Sequence, residues 1–195
     1  MKTVNIEGKV RTSTGKAASN ASRRQGNVPC TLYGKSENIS FEVPESALKS
    51  VVYTPDFFKV LVNIDGTNHE TLIKDMQFHP LTDKVLHIDF FKLDPEQKVV
   101  CEIPLFPKGL SSGVKAGGKL VQMIRKVKVR AYPKDLVDKI FVDVTTLDMG
   151  KSVRLSDIKA DNIEVLGSPA IPVISCAIPR SMRSKAAADA AETKK

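Results

Sequence analysis

Apolar and polar side chains alternate through most of this chain with the period of a strand. Residues 2–12 place Val4, Ile6 and Val10 on one face and read as a strand broken near Gly8. A second short strand is predicted over 28–34, VPCTLYG, and Phe41 with Val43 marks a third. The run PESALKSVVY breaks the alternation: Pro44 and Glu45 are good first-turn residues and predict one short helix. Residues 57–64, FFKVLVNI, are apolar and β-branched, and Asp65-Gly66 is a hairpin signal leading to a return strand over 69–75. Residues 85–92, VLHIDFFK, alternate once more. About six short strands joined by tight turns favour a small closed barrel over an open sheet.

Pro95 stops this pattern and predicts a domain boundary. Beyond it, strands are expected at 97–103, 120–132 and 139–144, a turn at Met149-Gly150, and further segments near 153–155, 163–166 and 171–178. The stretch 104–119 between the first two contains two prolines and four glycines and reads as irregular. Residues 180–195 are low in complexity and predict a frayed or flexible tail. The expected fold is therefore mainly β: a six-stranded N-terminal β-barrel with one or two short helices over 1–95, a second β-rich domain over 96–179, and the tail.

Composition narrows the function. A net charge of +8 favours an anionic partner, nucleic acid first and an anionic membrane surface second. Three cysteines at least 70 residues apart support neither a disulfide framework nor a zinc site, and buried free thiols are expected. The first residues lack an apolar signal core and no apolar run approaches membrane-spanning length, so a cytoplasmic protein is expected.

The charge is segregated. Residues 1–35 hold seven basic groups and one acidic group, whereas residues 36–95 hold five basic and ten acidic. A second block, 103–134, has eight basic residues and no acid. Such local fields suit phosphate backbones, because neutralising phosphate releases condensed counterions. Residues 15–27 combine small side chains, Lys or Arg, and Ser or Asn, with no carboxylate. That composition suits a loop lying against a phosphate backbone, where small residues allow close backbone approach and polar ones reach phosphate.

Catalytic motifs are missing. The chain contains no GxSxG elbow, P-loop or GxGxxG fingerprint. His69, His79 and His87 lack the spacing of a helical metal pair. A hydrolase built on His87 and Asp89 would lack a nucleophile motif, so no enzyme activity, metal, cofactor or small-molecule substrate is expected.

Several local patterns then combine: Arg11, GKAAS at 15–19, Arg23, VPCTLYG, IKDMQ with His79-Pro80, and HIDF at 87–90. Their order and spacing resemble the bacterial large-subunit ribosomal proteins of the general stress (CTC) family, which bind 5S ribosomal RNA. PLFPKGLSSGVKAGGKLVQ, FVDVTTLDMGKSVRLSDI and IEVLGSP extend the resemblance through residue 178 or so. It implies a six-stranded barrel gripping 5S RNA, a second β-domain, a place in the central protuberance, and no catalysis or cofactor. Many relatives have two arginines straight after a GKGAS-like loop. Here Asn20-Ala21 stand there, leaving Arg23 and Arg24 to supply guanidinium.

The candidate RNA-binding residues are Arg11, Lys16, Ser19, Asn20, Arg23, Arg24, Tyr33, Gln77, His79, His87 and Asp89. Asp89 is the informative one. A carboxylate facing RNA suits an acceptor for a base amino group, or an orienter of His87 or Arg23. A secondary basic surface is expected from Lys108, Lys115, Lys119, Arg125, Lys128 and Arg130, facing ribosomal RNA or an acidic neighbour in the subunit. The competing reading is a general single-stranded nucleic-acid barrel, which would need exposed stacking aromatics; residues 1–35 offer only Tyr33.

Overall fold

The computed structural model describes residues 1–35, 38–158 and 162–179, and the expected tail over 180–195 lies outside them. The described residues form two compact units, 1–101 with 131–138 and 102–130 with those from 139 to 179.

The first unit contains β1 (Thr3–Val10), α1 (Lys16–Arg24), β2 (Asn27–Tyr33), β3 (Asn38–Pro44), α2 (Glu45–Val52), β4 (Lys59–Ile64), β5 (Thr67–Phe78) and β6 (Val85–Lys92). Its six strands close into a barrel in the order β1-β3-β2-β6-β5-β4. Closure depends on two parallel pairings, β1 with β4 and β2 with β6, and the other neighbours are antiparallel. Alternation sends Ile6, Val28, Cys30, Leu32, Phe41, Val43, Val60, Val62, Ile88 and Phe90 inward, where all are buried. The β4–β5 hairpin turns at Asp65 and Gly66, both with positive φ (47° and 87°), the geometry that an Asp-Gly pair supports. Helix α2 buries Leu48, Val51 and Val52 on the barrel core, which explains its i, i+3, i+4 apolar spacing.

The strand pattern was read correctly at the barrel, with one large difference. The basic stretch expected as a loop is a helix, α1. It has no apolar stripe to announce it: three alanines, two serines and two terminal arginines give propensity but no hydrophobic face. Gly15 (φ 102°) turns the chain into it, and Ser22 is the residue it buries. The return strand β5 is also longer than predicted, and two register shifts break its pairing with β6. Between Ile73 and Asp75 the extra residue is Lys74 on β5; between Gln77 and Phe78 it is Leu86 on β6.

The second unit is built on β7 (Val99–Lys108), which begins in the first unit, α3 (Ser112–Lys115), β8 (Lys119–Gln122), β9 (Lys126–Ala131), β10 (Ile140–Asp143), β11 (Ser152–Arg154), β12 (Glu164–Val165) and β13 (Pro172–Ala177). They form a four-stranded sheet, β10-β7-β9-β12, and a three-stranded sheet, β11-β13-β8. The stretch expected as irregular is largely ordered, since β7 runs through Pro104 and Pro107 and α3 follows. Proline's fixed φ is compatible with extended backbone, so neither residue ends the strand. The single strand predicted over 120–132 is two. The backbone amides of Met123 and Ile124 both donate to the Val173 carbonyl (2.9 and 3.3 Å), and there the chain passes from one sheet to the other.

Candidate nucleic-acid interface

Three elements bring most of the candidate residues together: α1 and the outward faces of β2 and β6. The parallel pairing of β2 with β6 sets Thr31 beside Asp89 and Tyr33 beside Phe91. The antiparallel partner β5 sets Gln77 opposite His87 and Asp75 opposite Asp89. The Lys74 bulge makes this possible. Ile73 packs on the core, and the extra residue rephases the strand so that Asp75 and Gln77 are exposed while Met76 returns to the core.

His87 is held at both ring nitrogens. Its Nδ1 lies 2.8 Å from Asp89 Oδ1, and its Nε2 lies 3.2 Å from Thr31 Oγ. With Nδ1–H donating to the carboxylate, Nε2 accepts from the Thr31 hydroxyl, which fixes the ring. Asp89 therefore orients His87. It does not orient Arg23, whose partners lie elsewhere, and its second carboxylate oxygen remains to accept from a ligand. Thr31 completes this chain and was missed in the sequence, although strand alternation from Cys30 and Leu32 places it outward. Tyr33 packs edge-on against Phe91 (centroids 5.8 Å apart). Burial first, then the carboxylates of Asp89 and Asp75, hold its hydroxyl above the ordinary phenol range, so it stays a donor. Beneath this face, burial pushes the Cys30 thiol up to about 12 and leaves it chemically inert.

Helix α1 is attached through polar contacts. Arg23 Nε donates to the Leu86 carbonyl (3.1 Å). Leu86 is the bulged residue of β6, so it stands outside the regular ladder, and Arg23 is what meets its carbonyl. Arg23 Nη1 also donates to Asn20 Oδ1 (3.3 Å). Asn20 thus braces the arginine that follows it by one helical turn. Ser22 Oγ donates to Glu42 of β3, and Arg11 Nη2 donates to Ser19 Oγ (3.3 Å), so both ends of the helix are tied down. Ser22 and Glu42 were also missed, because a part-buried polar pair leaves no periodic signal. Lys16 and Arg24 remain exposed at opposite ends of the helix, and the first turn carries no acid. The amino end of α1 therefore presents unopposed positive potential beside Lys16.

His79 stands apart, just beyond β5, where its Nδ1 accepts from the Leu81 amide (3.3 Å).

Residues 6–90 match the Ribosomal L25p family, and residues 98–180 match the family described as Ribosomal protein TL5, C-terminal domain. The chain is also 40% identical over 190 residues to the large ribosomal subunit protein bL25 of Cytophaga hutchinsonii, covering 97% of this chain and 99% of that protein. The chain belongs to the ribosomal L25p family. The bL25 protein of Phocaeicola vulgatus is 40% identical over 194 residues (96% of this chain, 98% of that protein), and that of Bacteroides thetaiotaomicron is 36% identical over 193.

Within this L25p-family chain, the secondary basic surface divides in two. Strand β9 alternates cleanly, with Lys126, Lys128 and Arg130 outward and Val127, Val129 and Ala131 buried. Carboxylates from other strands face several of the cations: Glu102 lies 4.0 Å from Lys128, Glu164 lies 3.6 Å from Arg130, and Asp143 pairs across from Lys108. A block that reads as purely basic along the sequence is therefore partly neutralised in space. Lys115, Lys119, Arg125 and Lys126 are exposed. Gly118 of the KAGGK stretch is fixed by its own neighbours. A Cβ at Gly118 would lie 2.6 Å from Cys176 Sγ and 2.7 Å from the Gly113 carbonyl, so its smallness serves internal packing.

Proposed function

We propose that the chain is a non-catalytic structural constituent of the large ribosomal subunit and binds 5S ribosomal RNA through α1 and the outward face of β2, β5 and β6. The observation that carries this reading is the Thr31–His87–Asp89 chain, a fixed donor–acceptor array beside a helix that carries only positive charge. Neither half would suffice by itself. A cationic helix alone would bind any polyanion, and a polar strand face alone would have little affinity.

The division of labour follows from the geometry. Lys16, Arg24 and the amino end of α1 meet phosphate. Arg11 and Arg23 hold the helix while keeping donors for the RNA, and Ser19 and Asn20 serve ribose hydroxyls. Asp89, Gln77 and the Tyr33 hydroxyl read base or ribose edges in a shallow minor groove or an irregular internal loop, where such edges are reachable. His87, with both nitrogens engaged, acts by holding Asp89 and Thr31 in place. Residues 1–95 hold all six barrel strands and form the RNA-binding domain, and residues 96–179 supply the second domain except for 96–101 and 131–138, which belong to the first compact unit. The general single-stranded reading would require a row of exposed aromatics on this face, and Tyr33 and Phe91 are only half-exposed.

Competition binding tests the proposal. Full-length protein on labelled 5S RNA should be displaced by unlabelled 5S RNA at concentrations orders of magnitude below those of a poly-pyrimidine strand. Equal displacement by the two competitors would reject structured-RNA recognition in favour of the single-stranded reading.

A further inference from the structure

The tip of the β5–β6 hairpin has a different character from the face just described. Leu81 at its apex is 88% exposed. Phe78, at the end of β5, and Tyr53, whose hydroxyl reaches the tip at Asp83, are 41% and 54% exposed. The tip is not loose backbone. The His79 amide donates to the Lys84 carbonyl (2.8 Å) and the Asp83 amide to the His79 carbonyl (3.0 Å). The Leu81 amide donates to His79 Nδ1 (3.3 Å), and the Tyr53 hydroxyl bridges from the end of α2 to the Asp83 carbonyl (3.1 Å). Asp83 takes a positive φ of 53° to close the turn. Five residues are thus held in one shape that presents a leucine to solvent.

We propose that this tip is a docking knob for a neighbouring protein of the large subunit, one that offers an apolar pocket to Leu81, Phe78 and Tyr53. The proposal rests on the reading that the chain is a component of that subunit. Charge decides between protein and RNA as the occupant. Residues 77–84 carry one acid, Asp83, and one base, Lys84, so the tip has no net charge to offer phosphate. Helix α1, by contrast, carries three cations and no acid. A neutral surface of Leu, Phe, Tyr and Pro gains by burying apolar area, and it matches the charge-depleted, aromatic-rich centre of protein interfaces. Because the turn is already ordered, docking sacrifices little conformational freedom.

Two measurements on the full chain test this. A photoreactive benzoyl-phenylalanine placed at position 81 is bound to large subunits lacking the protein, and the complex is irradiated. One ribosomal protein should be captured in an adduct that survives ribonuclease, with the cross-link mapping to an apolar pocket. Capture of ribosomal RNA, or no adduct, would overturn the proposal. In parallel, Leu81→Ser should leave the far-ultraviolet spectrum unchanged and affinity for free 5S RNA within about twofold, because the side chain supports nothing in the fold. Its release from large subunits should be about tenfold faster. Unaltered release, or weakened binding to free 5S RNA, would refute the protein knob. If the unmodified chain fails to bind free 5S RNA, the RNA reading falls and the cross-link still judges the knob.

Discussion

Replacing Arg23 with alanine separates its structural role from its proposed role in binding RNA. The substitution removes a charged donor from the carbonyl of a bulged, half-buried residue, Leu86, and removes the partner of Asn20. A hydrogen bond to a charged group contributes about 1.5–3 kcal/mol net, and partial exposure of this one lowers the expectation to roughly 1–2 kcal/mol. The other ties on the helix, Ser22 to Glu42 and Arg11 to Ser19, remain, so α1 should loosen without leaving the barrel. Urea unfolding should show a lower midpoint at unchanged slope, and amide exchange should speed up within 16–24 and little elsewhere. Affinity for 5S RNA should also fall, by about 1–3 kcal/mol. Arg24→Ala provides the contrast. It is exposed at the end of the same helix, so stability should stay within about 0.5 kcal/mol while affinity falls by a similar amount. The latch would be refuted by equal stability of the two variants or by unchanged exchange in α1.

Three further outcomes are expected. Asp89→Asn should weaken 5S binding about 5- to 30-fold in a filter assay, because it removes the charged acceptor and unsettles His87; tighter binding would mean that the carboxylate merely repels phosphate. Gly118→Ala should destabilise the second unit by about 1–3 kcal/mol through its contact with Cys176, and adding Cys176→Ala should recover part of the loss; an additive double mutant would remove Cys176 from the explanation. Residues 1–95, which contain all six barrel strands, should fold and bind 5S RNA with steep salt dependence yet wash off large subunits at lower salt than the full chain; identical wash-off curves would show that the exposed cations Lys115, Lys119, Arg125 and Lys126 are only solvated.

Much of the barrel is legible locally because each strand carries its own alternation and the Asp65-Gly66 turn its own chemistry. Helix α1 is not. Arg11 is the one tie near it in sequence; Glu42 and the Leu86 carbonyl lie on strands farther along the chain, so most of the reason it docks falls outside any window around residues 16–24. The same distinction separates Asp89 from Thr31. The carboxylate stands out because it sits two residues from His87 in the HIDF stretch, whereas the threonine gains its role only from a parallel pairing that local pattern does not encode. In the second unit, a basic run looked unopposed because Glu102, Glu164 and Asp143 come from three different strands. Charge counted along the chain overstates charge met in space wherever a sheet brings distant segments side by side.

The parallel pairings that close the barrel also set an order of events during synthesis. Strand β1 finds its parallel partner only when β4 exists, and Cys30 of β2 must wait for Ile88 of β6. Pairings this distant in sequence form late, after the entropy of closing the intervening chain has been overcome. A nascent chain that has exposed α1 and β2 outside the ribosome thus carries the cations of the interface but neither Asp89 nor the carbonyl that anchors Arg23. At that stage it can attract any polyanion and recognise none. If the proposed interface is the one used, discrimination arrives in one step with β6, and a growing chain is not selective for RNA until the last strand of the barrel has emerged.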